Sequence, residues 1–263
     1  MLKYALSVAV ACTALPVAAQ LGDVAQLKVI PGWTTAEGTQ MSGLSISLAP
    51  GWKTYWRAPG DGGIPPVMAL SGSENIAAAR IHWPVPEVFL DNGMRSVGYL
   101  ESVVLPVELE PIGDGPMHLS GSLLIGVCEE VCIPMTFSFD VALPESSSRD
   151  PQLLAALLDR PMTAKEAGVS KVTCSVSPIS DGLRVTASVT LPYTGGKEEM
   201  VLEAGDESIW VSDPETVRDG GQISGTVDMV AGSGEPFALD RSAVRITILG
   251  QNTAVDVIGC SAG

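Results

Sequence analysis

The residues of this chain best suited to chemistry are cysteines. Cys128 and Cys132 frame Glu129, Glu130 and Val131 within "LLIGVCEEVCIPMTFSF", in a sequence with five cysteines among 263 residues. A pair at this spacing can act as a metal clip, an inert staple or a dithiol that opens and closes. The run "IPMTFSFDVALP" that follows sets Ile133, Met135, Phe137, Phe139 and Val141 on one face, the period of a strand, and the strand-like "HLSGSLLIGV" precedes the pair. A three-residue hairpin loop between these runs sets the two cysteines opposite each other, within disulfide range. The closed loop is short, so the chain-entropy gain is only roughly 2 kcal/mol. An accessible disulfide that adds so little stability is suited to exchange, and a local staple is the alternative. Cys174 and Cys260 differ. Their bridge closes a loop of about 87 residues, worth roughly 4 to 5 kcal/mol, which reads as a structural disulfide holding a domain's ends together.

Other chemistries have less to work with. Two histidines limit acid–base and zinc chemistry, and no nucleophile-elbow, P-loop, zincin or Rossmann pattern occurs. His82, beside Trp83, reads as packing or surface. No resident metal or other cofactor is expected beyond the disulfide itself. The alternative is a soft Cu(I) site built from Cys128, Cys132 and Met135, with Met117 or His118 one strand earlier. A third reading is an adhesion-like sandwich with two inert staples. The formal net charge of −15 argues against nucleic acid and anionic membrane surfaces as partners.

The amino terminus, "MLKYALSVAVACTALPVAAQ", has the layout of a secretory signal peptide cleaved after Ala19, which removes Cys12 and leaves four cysteines for an oxidising compartment. Hydrophobic residues make up 46% of the sequence and charged residues 17%, enough apolar side chain for a substantial core. Short strand-like runs between Gly and Pro fill residues 20–143. Residues 144–168 form a linker with one short helix, capped by Asp150, opened by Pro151 and carrying Leu153, Leu154, Leu157 and Leu158 as an apolar stripe. Seven further strand-like runs fill 169–263. The fold expected is all-β: two immunoglobulin-like β-sandwiches joined by a short helical linker.

Four blocks sharpen this reading: "PGWKTYWRAPGDGGIPP" (50–66), "IHWPVPEVF" (81–89), "VGYLESVVLPV" (97–107) and "GVCEEVCIP" (126–134). In their order and spacing they resemble the periplasmic N-terminal domain of the DsbD/ScsB family of thiol–disulfide interchange proteins, over roughly residues 25 to 143. The remainder resembles, more weakly, the extra immunoglobulin-like region of ScsB-type members. The resemblance implies a periplasmic protein-disulfide reductase. Cys128 and Cys132 would accept electrons from a membrane-embedded reductase and pass them to thioredoxin-like or disulfide-isomerase clients. It also implies a cap loop over the pair, mapping onto Phe89 to Tyr99, with Tyr55 and Trp52 as nearby aromatics. ScsB-type relatives are associated with copper tolerance, which lends the Cu(I) alternative some force. The chain ends at Gly263 without the membrane domain of full-length members, so the expected donor is a separate protein. Glu129 and Glu130 place negative charge beside any forming thiolate and are expected to raise the thiol pKa. The order of the motif points to Cys128 as the sulfur that holds the client.

Overall fold

The computed structural model describes residues 24–91, 93–144, 148–251 and 253–263. The expected signal peptide and Cys12 lie outside the described residues. Among the described residues the regular structure is almost entirely strand, arranged as two β-sandwiches with one short helix.

In the first sandwich the strands are β1 (Ala25–Thr34), β2 (Gln40–Leu48), β3 (Lys53–Tyr55), β4 (Val67–Ala69), β5 (Ile76–Ile81), β6 (Glu87–Asp91), β7 (Met94–Leu100), β8 (Ser102–Pro111), β9 (Met117–Cys128) and β10 (Cys132–Leu143). One sheet has the order β1-β2-β8-β5; the other runs β10-β9-β3-β7-β6, with β4 also paired to β9. Strict alternation along β10 turns Phe137, Phe139 and Val141 inward, as period two requires. Trp56, Leu105, Leu109, Leu123, Ile125 and Val127 fill the space between the sheets.

The helix α1 (Pro151–Leu158) forms as its sequence dictates. The Asp150 carboxylate accepts from the amides of Gln152 at 2.8 Å and Leu153 at 3.1 Å, and Pro151 occupies the first turn. Its stripe is narrower than expected: Leu153 is fully buried among Ile30, Trp33 and Met41, whereas Leu158 is 84% exposed. Five positions at 100° per residue carry Leu158 about 140° from Leu153, past the edge of an eight-residue helix's contact face. Gly43 makes room for this docking, since a Cβ there would lie 2.9 Å from Leu153 Cδ1. Leu153→Ala is expected to destabilise the protein by about 3 kcal/mol, read as a lower denaturant midpoint with unchanged slope.

The second sandwich comprises β11 (Met162–Thr163), β12 (Lys171–Pro178), β13 (Leu183–Thr190), β14 (Glu199–Glu203), β15 (Ile209–Val211), β16 (Glu215–Asp219), β17 (Gln222–Ala231), β18 (Arg245–Gly250), β19 (Thr253–Ile258) and β20 (Ser261–Ala262). Its sheets are β11-β19-β18-β14 and β15-β17-β13-β12-β20, with β16 also on β17. Strand β11 falls within the stretch expected to be linker, where it pairs in parallel with Val255 and Asp256.

The sheet containing β14, β18 and β19 is buried on both faces. Met200, Leu202, Ile246, Ile248, Val255 and Val257 point into their own core, while Val201, Leu249 and Ala254 belong to the core of the first sandwich. Two arginines of the first sandwich cross this boundary. Arg57, stacked 3.7 Å over the Trp56 ring, donates to Glu203 at 3.0–3.1 Å and to Thr247 at 3.1 Å. Arg95 on β7 donates to Glu199 at 2.7 Å and to Asp213 at 3.2 Å. Among the described residues, no helix is long and apolar enough to cross a membrane.

Candidate functional site

Strands β9 and β10 pair in unbroken register from Met117 opposite Leu143 to Cys128 opposite Cys132, so the cysteines close the tip of one long hairpin. Their Cα atoms are 4.2 Å apart, near the spacing of directly opposed, non-hydrogen-bonded strand residues, and they form a disulfide. The loop residues Glu129, Glu130 and Val131 are exposed, Val131 by 67%. The two sulfur-bearing residues are unequal: Cys128 is 1% exposed, whereas Cys132 is an exposed residue.

What covers Cys128 follows from strand register. In β3, Lys53 sits opposite Cys128 on one side and Leu100 on the other. Side chains alternate along a strand, so Cys132, Cys128, Lys53 and Tyr55 share the outward face of this sheet. The Tyr55 hydroxyl lies 2.7 Å from Cys128 Sγ, 3.1 Å from Cys132 Sγ and 3.2 Å from the Gly62 carbonyl. Disulfide sulfurs carry no hydrogen, so the phenol is the donor. Burial, and then the charge of Asp91, push the Tyr55 pKa up and keep it a neutral donor. Its close approach depends on Gly126, where a Cβ would lie 2.8 Å from the Tyr55 ring and 2.7 Å from Ile64.

The β6–β7 hairpin forms the far wall. Phe89 is opposite Ser96, and Asp91 opposite Met94. Lys53 reaches across to this hairpin: its ammonium pairs with the Asp91 carboxylate, donates to Ser96 Oγ at 3.2 Å and lies 5.0 Å from the centre of the Phe89 ring. Lys53 itself is only 9% exposed.

Of the aromatics named from sequence, Tyr55 and Phe89 are on this face and two others are not. Tyr99 is buried in the sandwich core and donates its hydroxyl to the Pro84 carbonyl at 2.9 Å. Trp52 also packs against that core. Both are one residue out of step with the site, and a one-residue step along a strand points the side chain to the opposite face. Sequence reasoning missed Lys53, and within the Phe89–Tyr99 stretch it did not single out Asp91 or Ser96. The available signal was the alternation of "WKTYW", which puts a lysine on the same face as Tyr55 between two inward tryptophans.

The sulfurs proposed for Cu(I) do not converge. Met117 and His118 stand at the start of β9 and Cys128 at its end, eleven rises of about 3.3 Å away from Met117. Met135 turns inward to the core, on the face opposite Cys132. Among the described residues, no cluster of three or more His, Cys, Asp or Glu is placed to hold a metal. His118 pairs with Asp140, and His82 with Glu108 at 2.9 Å. Cys174 and Cys260 form a second disulfide that ties β12 to the segment before β20, with Cys174 fully buried.

Residues 24–143 match the family described as "Thiol:disulfide interchange protein DsbD, N-terminal". A search of curated proteins gave no match. Among solved structures, the chain is similar to the N-terminal periplasmic domain of ScsB from Proteus mirabilis, with a TM-score of 0.70 and 24% identity over 92% of this chain and 95% of that one. That likeness shows a shared two-sandwich fold.

Proposed function

We propose that this chain, whose residues 24–143 match the DsbD N-terminal thiol:disulfide interchange family, is an exported relay that accepts electrons from a membrane-embedded dithiol reductase and passes them to periplasmic thioredoxin-like or disulfide-isomerase clients. The observation that carries this reading is the asymmetry of the pair: an exposed Cys132 at a hairpin tip, joined to a Cys128 covered by its neighbours.

A partner sulfur must approach along the S–S axis, and only the Cys132 side is open. Burial therefore reverses the expectation from motif order: Cys132 holds the partner and Cys128 resolves. In the outward half-reaction, the Cys132 thiolate attacks a client disulfide and one client sulfur leaves as thiolate. The Cys128 thiolate then attacks Cys132 Sγ, the mixed disulfide breaks, and the second client thiolate leaves as the Cys128–Cys132 bond closes. Two electrons pass to the client, whose thiolates take two protons. The donor runs the same steps in reverse, its thiolate attacking Cys132 and expelling Cys128. Glu129 and Glu130, exposed beside the pair, oppose free thiolate and so favour exchange with docked partners over stray reduction. A reversible titration of the pair against glutathione tests the proposal: a relay titrates within that buffer's range, and a staple does not.

A further inference from the structure

Resting on that reading, we infer that Lys53 is an exchangeable counter-ion: it holds the cap hairpin shut through Asp91 while the disulfide is closed, and stabilises Cys128 as a thiolate once the cap has swung away. Three observations meet here. Lys53 is directly opposite Cys128 in the β3–β9 ladder, where neighbouring Cβ atoms are about 5 Å apart. The Lys53 ammonium leans the other way, over β7, to Asp91 and Ser96. It is also almost enclosed, so loss of Asp91 leaves a buried cation in need of an anion.

Partner attack on Cys132 supplies that anion one strand away. The incoming thiolate forms a bond to Cys132 Sγ, the Cys128–Cys132 bond breaks, and its electron pair goes to Cys128 Sγ, which leaves as thiolate. A lower leaving-thiol pKa speeds this step, and a neighbouring ammonium lowers it. The lysine stem is long enough to turn from β7 to β9, since the strands are about 4.8 Å apart. Asp91 acts in the opposite sense: its charge reaches the Tyr55 hydroxyl that touches both sulfurs. Cap opening thus removes a carboxylate from the sulfurs and frees a cation for them in one movement.

Single-turnover reduction of the intact oxidised protein by dithiothreitol separates this role from a mere latch. Asp91→Asn breaks the latch and leaves the cation, so the pair is expected to be reduced faster than in the unaltered protein. Adding Lys53→Met to Asp91→Asn leaves the latch equally broken but removes the cation. Reduction should then slow by about threefold or more, because a leaving thiol of higher pKa departs more slowly. Lys53→Arg with Asp91→Asn should restore the faster rate. Equal rates for Asp91→Asn with and without Lys53→Met would make Lys53 only a latch and overturn the inference, while a pair that still reacts leaves the relay standing. A pair that resists reduction in every variant would sink both.

Discussion

Cys128→Ser is expected to capture a partner protein and fail to release it. With Cys132 as the exposed sulfur, attack on a client disulfide still occurs, but no buried thiolate remains to break the mixed bond. The adduct should accumulate toward one partner per protein and survive non-reducing gel electrophoresis, while turnover falls to that of a protein lacking the pair. Cys132→Ser should lose turnover as completely and trap almost nothing, because Cys128 is buried against the Tyr55 hydroxyl. Mass spectrometry of the trapped species identifies the sulfur. Equal trapping by both variants would remove the division of labour read from burial.

The second large effect concerns the boundary between the sandwiches. Arg57→Met removes a guanidinium whose side chain is 10% exposed and leaves Glu203 without its bidentate partner beside Thr247. Breaking one side of a largely buried pair is severe because the remaining charge stays desolvated. The expected loss is about 2 to 3 kcal/mol, reduced from the fully buried case because Glu203 is partly solvated. The thermal midpoint should fall by about 5 to 10 °C. An unchanged midpoint would mean that the arginine adds nothing to the docking of the second sandwich.

Acid should loosen the same boundary. At Asp256, burial pushes the pKa up, but hydrogen bonds and charge from Arg245, with Arg57 nearby, carry it below the ordinary range. At Glu199, burial is likewise outweighed by Lys197 and Arg95. Depressed folded values mean that their stabilisation is complete above the unfolded pKa of about 4 and is lost as pH falls through the folded values.

Most of the architecture was legible because most strands are buried on one face. β10 and β13 alternate cleanly, and the sequence places both. β18 could be found as an apolar run, but its second buried face gave no hint of its target: Thr247 and Leu249 turn to the first sandwich while Ile246 and Ile248 turn to their own. The short strands β11, β16 and β20 carry too few residues for a period to show. At the site, the cysteine pair and Tyr55 were legible from motif and resemblance. Trp52 and Tyr99 were misplaced because nearness in sequence does not reveal strand parity. Lys53 was passed over because a single lysine reads as surface until register shows its neighbours, Cys128 across one ladder and Leu100 across the other.

The central claim is that the Cys128–Cys132 pair is poised for exchange. Its most direct test is the pair's reduction potential, read by alkylation and peptide mass on the whole protein equilibrated in glutathione buffers, with Cys174–Cys260 followed in the same samples. A value between roughly −270 and −180 mV, the span from thioredoxin to protein disulfide isomerase, is expected for a relay. A value below about −300 mV, alongside an equally resistant Cys174–Cys260 bridge, would make both disulfides staples and contradict the account.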